Sequence, residues 1–443
     1  VNYRAIGCTV GWLLATSLCA TFEFARVVAA ADSAAGPLGW FADWSLDTTL
    51  PFCVLVTLPL LLVLRRLPEV RNRSSRTPAH VGMPAMPVDP ATPANKSWTT
   101  SSCWPATLTV GFVSLVSSAT IGWRSVALTL PGGHPAGSSV TTVPLASLPP
   151  AYHDEFSYLL QARTFLAGRL SWPAPPVAPD LFHQVHVLSE PVIASRYFPW
   201  TGVWMMPFVA WDVPWLGHWI AGALAAGCGH RVLLRLGSPR MALAGGLLLS
   251  VCPGLAVFSN LLLAHQPTML ALSLFLLCML RLHESGRRRF AWLAGCSLTL
   301  AMLGRPLTAG AFALPFGAHT VWCWLRGCRR VDPASDVCFA SPRNFAGLAL
   351  PLLAGLCTVA VMNQQITGNW RLTPYQLYTE MWTPRHRFGF NNAMGEHSSR
   401  QSEVLDRYDR WAANLTSGLA ARNVMNRALA SGQWTLGVPI LLC

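Results

Sequence analysis

Residues Trp104 to Gly122 read WPATLTVGFVSLVSSATIG, a run without one charged side chain. A helix of that length covers the hydrocarbon layer of a bilayer, which takes about 20 apolar residues at roughly 1.5 Å each. Comparable runs lie at Ile6 to Val28, Thr49 to Leu64, Val203 to Leu234 (broken near Asp212-Val213-Pro214), Met241 to Phe258, Gln266 to Leu282, Phe290 to Leu303, Pro306 to Leu325 and Phe345 to Met362. In hydrocarbon every backbone polar group has to bond internally, so each run is expected to be a helix. The expected fold class is therefore all-α: a polytopic transmembrane helical protein.

Composition points the same way. Hydrophobic residues make up 52% of the 443 and charged residues 12%, against about a quarter charged in soluble domains. The formal charge of +13 comes almost wholly from arginine, Lys96 being the only lysine. These arginines gather at the ends of apolar runs, so topology explains them better than nucleic acid, and no nucleic-acid partner is expected. The 13 cysteines fall mainly in spans (Cys53, Cys252, Cys278, Cys357) or on the arginine-rich side. A disulfide framework is not expected. Cys323, Cys328 and Cys338 lack neighbouring histidines and a zinc-like spacing.

The charge pattern predicts sidedness. Turns bearing Arg231, Arg235 and Arg240, then Arg281 with Arg287 to Arg289, then Arg326, Arg329 and Arg330 should be cytoplasmic. The intervening turns, Ser259 to His265 and Gly304-Arg305, carry little charge, and strict alternation then runs through nine spans. The N-terminus is expected in the cytoplasm and the protein in the cytoplasmic (inner) membrane. Two long loops face outside: one leading through Gly132 to Pro150 and on to Pro199, the other from Asn363 to Gly432. Residues 1–66 read as an N-terminal hairpin, its first span too long for a cleaved signal peptide. Residues 67–103 read as a basic, disordered cytoplasmic linker, and residues 104–443 as the main transmembrane domain. The apolar run ending at Cys443 is too short to cross, so an ordinary chain would continue past it.

Polar residues with chemical potential cluster in the outer loops. Tyr152-His153-Asp154-Glu155-Phe156-Ser157-Tyr158 opens a segment in which Leu159, Ala162, Leu166 and Leu170 form a helical stripe, with Gly168 as a C-terminal stop. This predicts an outer interfacial helix in the first large extracytoplasmic loop. Asp154 then serves either as an N-cap, with Glu155 adding first-turn charge, or as a group that accepts a hydroxyl proton or binds a divalent cation (Mg or Mn) with His186. Arg196, just before the next span, could hold a lipid-linked phosphate or reach to headgroups. Arg305, between two closely spaced spans, needs an acidic residue or a phosphate. Thr367-Gly368-Asn369 and Pro374-Tyr375-Gln376-Leu377-Tyr378 open the second loop, with tyrosines able to stack on a sugar or sit among headgroups.

The order of these landmarks resembles the polytopic glycosyltransferases of the GT-C fold, in particular bacterial family 39-like membrane proteins. His153 to Leu160 looks like the family's first-loop acidic motif. His186-Val187, Pro191 and Ala194-Ser195-Arg196-Tyr197 with Pro199 look like its following segment, with arginine for the usual lysine. Arg305-Pro306, Thr367-Gly368-Asn369 and Pro374 to Tyr378 match later landmarks, so the likeness covers roughly Tyr152 to Phe390. Phe198-Pro199-Trp200 and His265-Gln266-Pro267-Thr268 depart from the family pattern. The resemblance implies an inverting transfer of a sugar from a polyprenyl-phosphate donor to a lipid, glycan or protein acceptor. It implies Asp154 and Glu155 as catalytic residues, and His186, Arg196, Tyr197, Arg305, Asn369 and Tyr375 as substrate- or phosphate-binding ones. Other readings of the same pattern are a multi-pass transporter or lipid flippase, whose site would lie near the bilayer midplane, and an inactive membrane scaffold.

Overall fold

The computed structural model describes residues 3–31, 103–127, 142–177, 182–325, 341–386, 389–392, 405 and 414–434. The expected span Thr49 to Leu64 and nearly all of the linker 67–103 lie outside these residues.

The described chain is mostly helical, as the apolar runs require. Helix α1 (Tyr3–Ala31) precedes α2 (Trp104–Gly122). A two-stranded antiparallel ribbon, β1 (Ser125–Ala127) with β2 (Thr142–Pro144), leads to α3 (His153–Leu166). Three short strands follow, β3 (Trp172–Pro173), β4 (Val187–Leu188) and β5 (Val192–Ser195), in the order β3-β5-β4 and antiparallel. Then come α4 (Trp200–Ala210), α5 (Pro214–Leu236), α6 (Pro239–Ser250), α7 (Pro253–Phe258), α8 (His265–Ser285), α9 (Arg288–Gly304) and α10 (Pro306–Leu325). Helices α11 (Pro342–Thr367), α12 (Pro374–Trp382) and α13 (Ser417–Trp434) complete the described chain.

Among the described residues, three helices are long and apolar enough to cross a membrane: α2, α8 and α11. Their outward faces carry large exposed apolar side chains, such as Leu108 and Phe112 on α2 and Leu353 and Val361 on α11. The other expected runs within the described residues form helices too. The break near Asp212 separates α4 from α5, with Asp212 at φ 56° and Pro214 as the first residue of α5. The single span expected from Met241 to Phe258 is instead two helices. Its backbone leaves the helix at Val251 and Cys252, because Pro253 lacks the N–H that a continuing helix would use.

Helix packing builds a row in which α2 lies on α5, α5 on α8, α8 on α9 and α9 on α11. Small residues bring these helices close. A Cβ on Gly295 of α9 would stand 2.6 Å from the Gly347 carbonyl oxygen of α11, so only glycine allows that contact. Phe275, Met279, Leu282, Ala291, Ala294 and Cys323 form the core where α8, α9 and α10 meet. Polar groups are also enclosed between the helices. His230 meets the Thr107 hydroxyl at 2.9 Å, and Gln266 donates to the Leu255 carbonyl at 2.8 Å. These contacts tie one helix to the next.

The segments that follow α2 and α11 fold onto one end of this row. Leu188, Ala194, Met362, Ile366, Tyr378, Trp382 and Leu405 form one core joining β4, β5, α11 and α12. Tyr158, Ala162, Met205, Val209 and Ala264 form a second, beneath α3 and α4. Residues from both segments therefore meet at a single place.

Candidate functional site

Helix α3 starts at His153, six residues before the stripe's first apolar residue, Leu159, and Tyr152 rather than Asp154 is its N-cap. Glu155, at the third helical position, turns back and accepts the backbone N–H groups of Ala151 and Tyr152 at 2.9 and 3.0 Å through Oε2. Its Oε1 accepts the N–H of Leu262 at 2.7 Å. The carboxylate is 4% exposed, so both of its oxygens serve as an anchor between the helix start and the turn before α8. At the other end Gly168 has φ +68°, a left-handed conformation that glycine adopts without strain, as the predicted stop requires.

Asp154 lies one residue earlier, about 100° around the helix, and faces a different group. Its Oδ1 accepts the Tyr197 hydroxyl at 2.7 Å and faces His186 Nε2 at 3.1 Å. Its side chain remains 43% exposed. Burial pushes its pKa up, but hydrogen bonds from His186 and Tyr197, together with the charges of His186 and Arg196, outweigh that and hold the carboxyl below its ordinary range. Burial, assisted by Arg196, pushes the His186 imidazole below its ordinary value despite Asp154. At neutral pH His186 is therefore uncharged, and its Nε2 donates to Asp154. Its Nδ1 is buried without a partner. The Tyr197 phenol is pushed up, mainly by burial, and stays protonated as a donor.

The hairpin β4–β5 sets the next pair. Val187 pairs with Ser195, so His186 and Arg196 lie opposite one another just beyond the paired residues. His186 has φ +68°, a strained conformation for a residue with a Cβ, costing about 1–3 kcal/mol. Ser157 of α3 donates to its carbonyl at 2.7 Å, and its own N–H donates to the Tyr378 hydroxyl at 3.0 Å. The surroundings thus hold this backbone in place and aim the ring at Asp154.

Arg196 is 7% exposed. Its guanidinium carbon lies 4.0 Å from the ring centre of Tyr375, 4.8 Å from that of Tyr378 and 5.4 Å from that of Tyr197. Such cation–π contacts partly offset the loss of water around the charge. Its Nε is enclosed and finds no hydrogen-bond partner. Asp154 feels its charge, yet the two form no ion pair. Two of these three rings come from α12, whose Thr373 N-cap accepts the N–H of Gln376 and whose Tyr375 and Tyr378, three apart, share a face.

The site thus brings together Asp154, His186, Arg196, Tyr197 and Tyr375. Arg305, exposed at the start of α10, stands within electrostatic reach of Tyr158, whose ring stacks on Tyr197 at 4.6 Å. Asn369 is not directed into the cluster; its side chain accepts the N–H of Arg371 at 3.0 Å and shapes the turn after α11. Glu155 is adjacent in sequence but committed to backbone donors. Sequence reasoning assigned no individual role to Ser157 or Tyr158; it expected the tyrosines at 375 and 378 to stack on a sugar or sit among headgroups, whereas both lie against Arg196.

Among the described residues no group of three or more His, Cys, Asp and Glu side chains converges. Asp154 and His186 supply one carboxylate and one imidazole beside a guanidinium, whereas Mg²⁺ and Mn²⁺ favour several oxygen ligands. This donor set fits an anion better than a divalent cation.

No protein-family model, curated protein or solved structure matches the chain.

Proposed function

We propose that the chain is a multi-pass, membrane-embedded glycosyltransferase of the GT-C kind, located in the inner membrane. It would move a sugar from a polyprenyl-phosphate donor to a lipid, glycan or protein acceptor on the extracytoplasmic side. The observation carrying this reading is a half-exposed carboxylate, Asp154, near a buried guanidinium, Arg196, that makes no ion pair among the described residues. A carboxylate and an anion site side by side are what a sugar phosphate requires of its enzyme: a base for the incoming hydroxyl and a positive charge for the departing phosphate.

In this mechanism Tyr197 and His186 fix Asp154 through Oδ1, leaving Oδ2 to accept the proton of the acceptor hydroxyl. The hydroxyl oxygen forms a bond to the anomeric carbon from the face opposite the donor phosphate, and the carbon–phosphate oxygen bond breaks. The electron pair leaves with the polyprenyl phosphate, and the configuration at that carbon inverts. Arg196 stabilises the charge that grows on the departing phosphate, and Arg305, within electrostatic reach of Tyr158, adds positive charge beside the same cluster. Glu155 is a positioning residue in this scheme: it fixes the start of α3 and with it the direction of Asp154.

The test is direct. Purified protein is given a radiolabelled polyprenyl-phosphate sugar and extracted membrane acceptors. Released polyprenyl phosphate and label in the acceptor, in equal amounts, support the proposal. Accumulation of a solute in vesicles with no consumption of lipid-linked sugar would replace it with a transporter.

A further inference from the structure

At the end of the helix row far from Asp154 a second set of guanidinium groups converges. Helix α8 has 21 residues, so its two ends lie about 30 Å apart; His265 begins it near the proposed active site and Arg281 stands in its last turns. Arg231 and Arg235 come from the last turns of the neighbouring α5, and Arg289 from the first turn of α9. Arg231 is 6% exposed and its guanidinium carbon sits 4.7 Å over the Trp104 ring at the start of α2. Arg235 pairs with Glu284. Arg281 feels the charges of Arg231 and Arg289, and Arg235 those of Arg281 and Arg231.

Arg281 carries the argument. Its Nε is enclosed and meets no hydrogen-bond partner, and its guanidinium carbon lies 5.9 Å from the Phe290 ring centre. Arg281 as a whole is half-buried; an enclosed Nε without a partner, set among other guanidinium groups, is relieved when an anion joins them. Apolar surface adjoins the cluster: Trp104 is 53% exposed, and Leu236, next to Arg235, is 71% exposed. Guanidinium groups bordered by apolar surface suit a phosphate that carries acyl chains.

We propose that the Arg231, Arg235 and Arg281 end of α5 and α8 binds the phosphate headgroup of an anionic lipid in the leaflet opposite the Asp154 site. The inference rests on the membrane reading of the helices and is independent of sugar transfer. Arg281 donates to the phosphate, Arg231 supplies a second charge, and the exposed faces of Trp104 and Leu236 lie along the acyl chains.

Native mass spectrometry of the full chain released from neutral detergent, with phosphatidylglycerol, phosphatidylcholine or inorganic phosphate added, tests it. Wild-type protein should retain phosphatidylglycerol about tenfold more strongly than phosphatidylcholine, the scale of one charge-assisted contact. Arg281→Gln should reduce that preference to about twofold or less, Arg281→Lys should restore most of it, and Arg169→Gln, just past the end of α3, should leave it unchanged. Equal retention of both lipids by wild-type protein, or an undiminished preference in Arg281→Gln, overturns the proposal. Inorganic phosphate that displaces phosphatidylglycerol at equal concentration would also overturn it, in favour of a soluble phosphate ligand. Sugar transfer measured on the same samples keeps the two readings apart. Arg281→Gln should lose lipid preference and keep transfer, whereas a wild-type protein with lipid preference and no transfer would sink the glycosyltransferase reading alone.

Discussion

Replacing Arg196 by glutamine separates a residue kept for a ligand from one kept for the fold. The guanidinium is 7% exposed with three tyrosine rings 4.0, 4.8 and 5.4 Å away. Three cation–π contacts at about 1 kcal/mol each contribute roughly 3 kcal/mol. Removing one cation from water costs several kcal/mol, so Arg196 adds almost nothing to the stability of the empty protein. Arg196→Gln should accordingly change the unfolding free energy by less than about 1 kcal/mol, or raise it slightly. The effect on transfer should be large. Loss of charge-assisted bonds to the leaving phosphate, about 2.7 kcal/mol, corresponds to roughly 100-fold in kcat/KM. The assay pairs thermal unfolding in detergent with transfer from a labelled polyprenyl-phosphate sugar at pH 7, and Arg196→Lys should recover part of the rate because charge remains. A variant that unfolds well below wild type, or one that transfers sugar within threefold of it, would refute the reasoning.

Other outcomes follow from the same geometry. Glu155→Gln leaves a neutral amide facing three backbone donors, so stability should fall by about 1–3 kcal/mol while the folded fraction keeps transfer within roughly tenfold; thermal unfolding and rate per folded molecule check this. The folded pKa values of His186 and Asp154 both lie below their unfolded values. The folded protein therefore binds these protons less readily than the unfolded chain. The stabilisation from His186 is complete above about pH 6.5 and that from Asp154 above about pH 3.8, each shrinking as pH falls toward the folded value. The transfer rate should be flat from pH 7.5 to about 6.5 and then fall as His186 takes up a proton and draws Asp154 into an ion pair; a rate–pH profile reads this. Gly295→Ala places a methyl group 2.6 Å from the Gly347 carbonyl oxygen and should cost about 1–3 kcal/mol of stability, seen as a lowered unfolding temperature.

Much of the helical layout was legible because apolar length and punctuation are local properties. Trp104 to Gly122 forms a helix with those bounds, and Asp212 to Pro214 and Gly168 end helices where their chemistry said they would. The split of α6 from α7 was less visible, since the apolar run continues through Val251 and Cys252; Pro253 was its one signal. Adjacent carboxylates posed a harder problem. Asp154 and Glu155 differ by one helical position, and sequence gives no reason to assign them opposite duties. Their division comes from Leu262, whose N–H captures Glu155 from 107 residues away, and from Tyr197, which holds Asp154 from 43 residues away. The tyrosine cage likewise depends on α12 folding against the β4–β5 hairpin, a contact that local pattern does not encode. His186 stood out by its place in a polar cluster and in the resemblance, but its left-handed backbone and its fixation by Ser157 and Tyr378 are tertiary facts.

The central claim is that Asp154 takes the acceptor proton while Arg196 receives the phosphate. Single-turnover transfer by Asp154→Asn, an isosteric change that keeps an oxygen for Tyr197 but removes the base, measures it most directly. The account predicts donor binding within about threefold of wild type and a transfer rate lower by roughly 100-fold to 10,000-fold, the range for loss of a general base. Undiminished transfer by Asp154→Asn at pH 7 would contradict it.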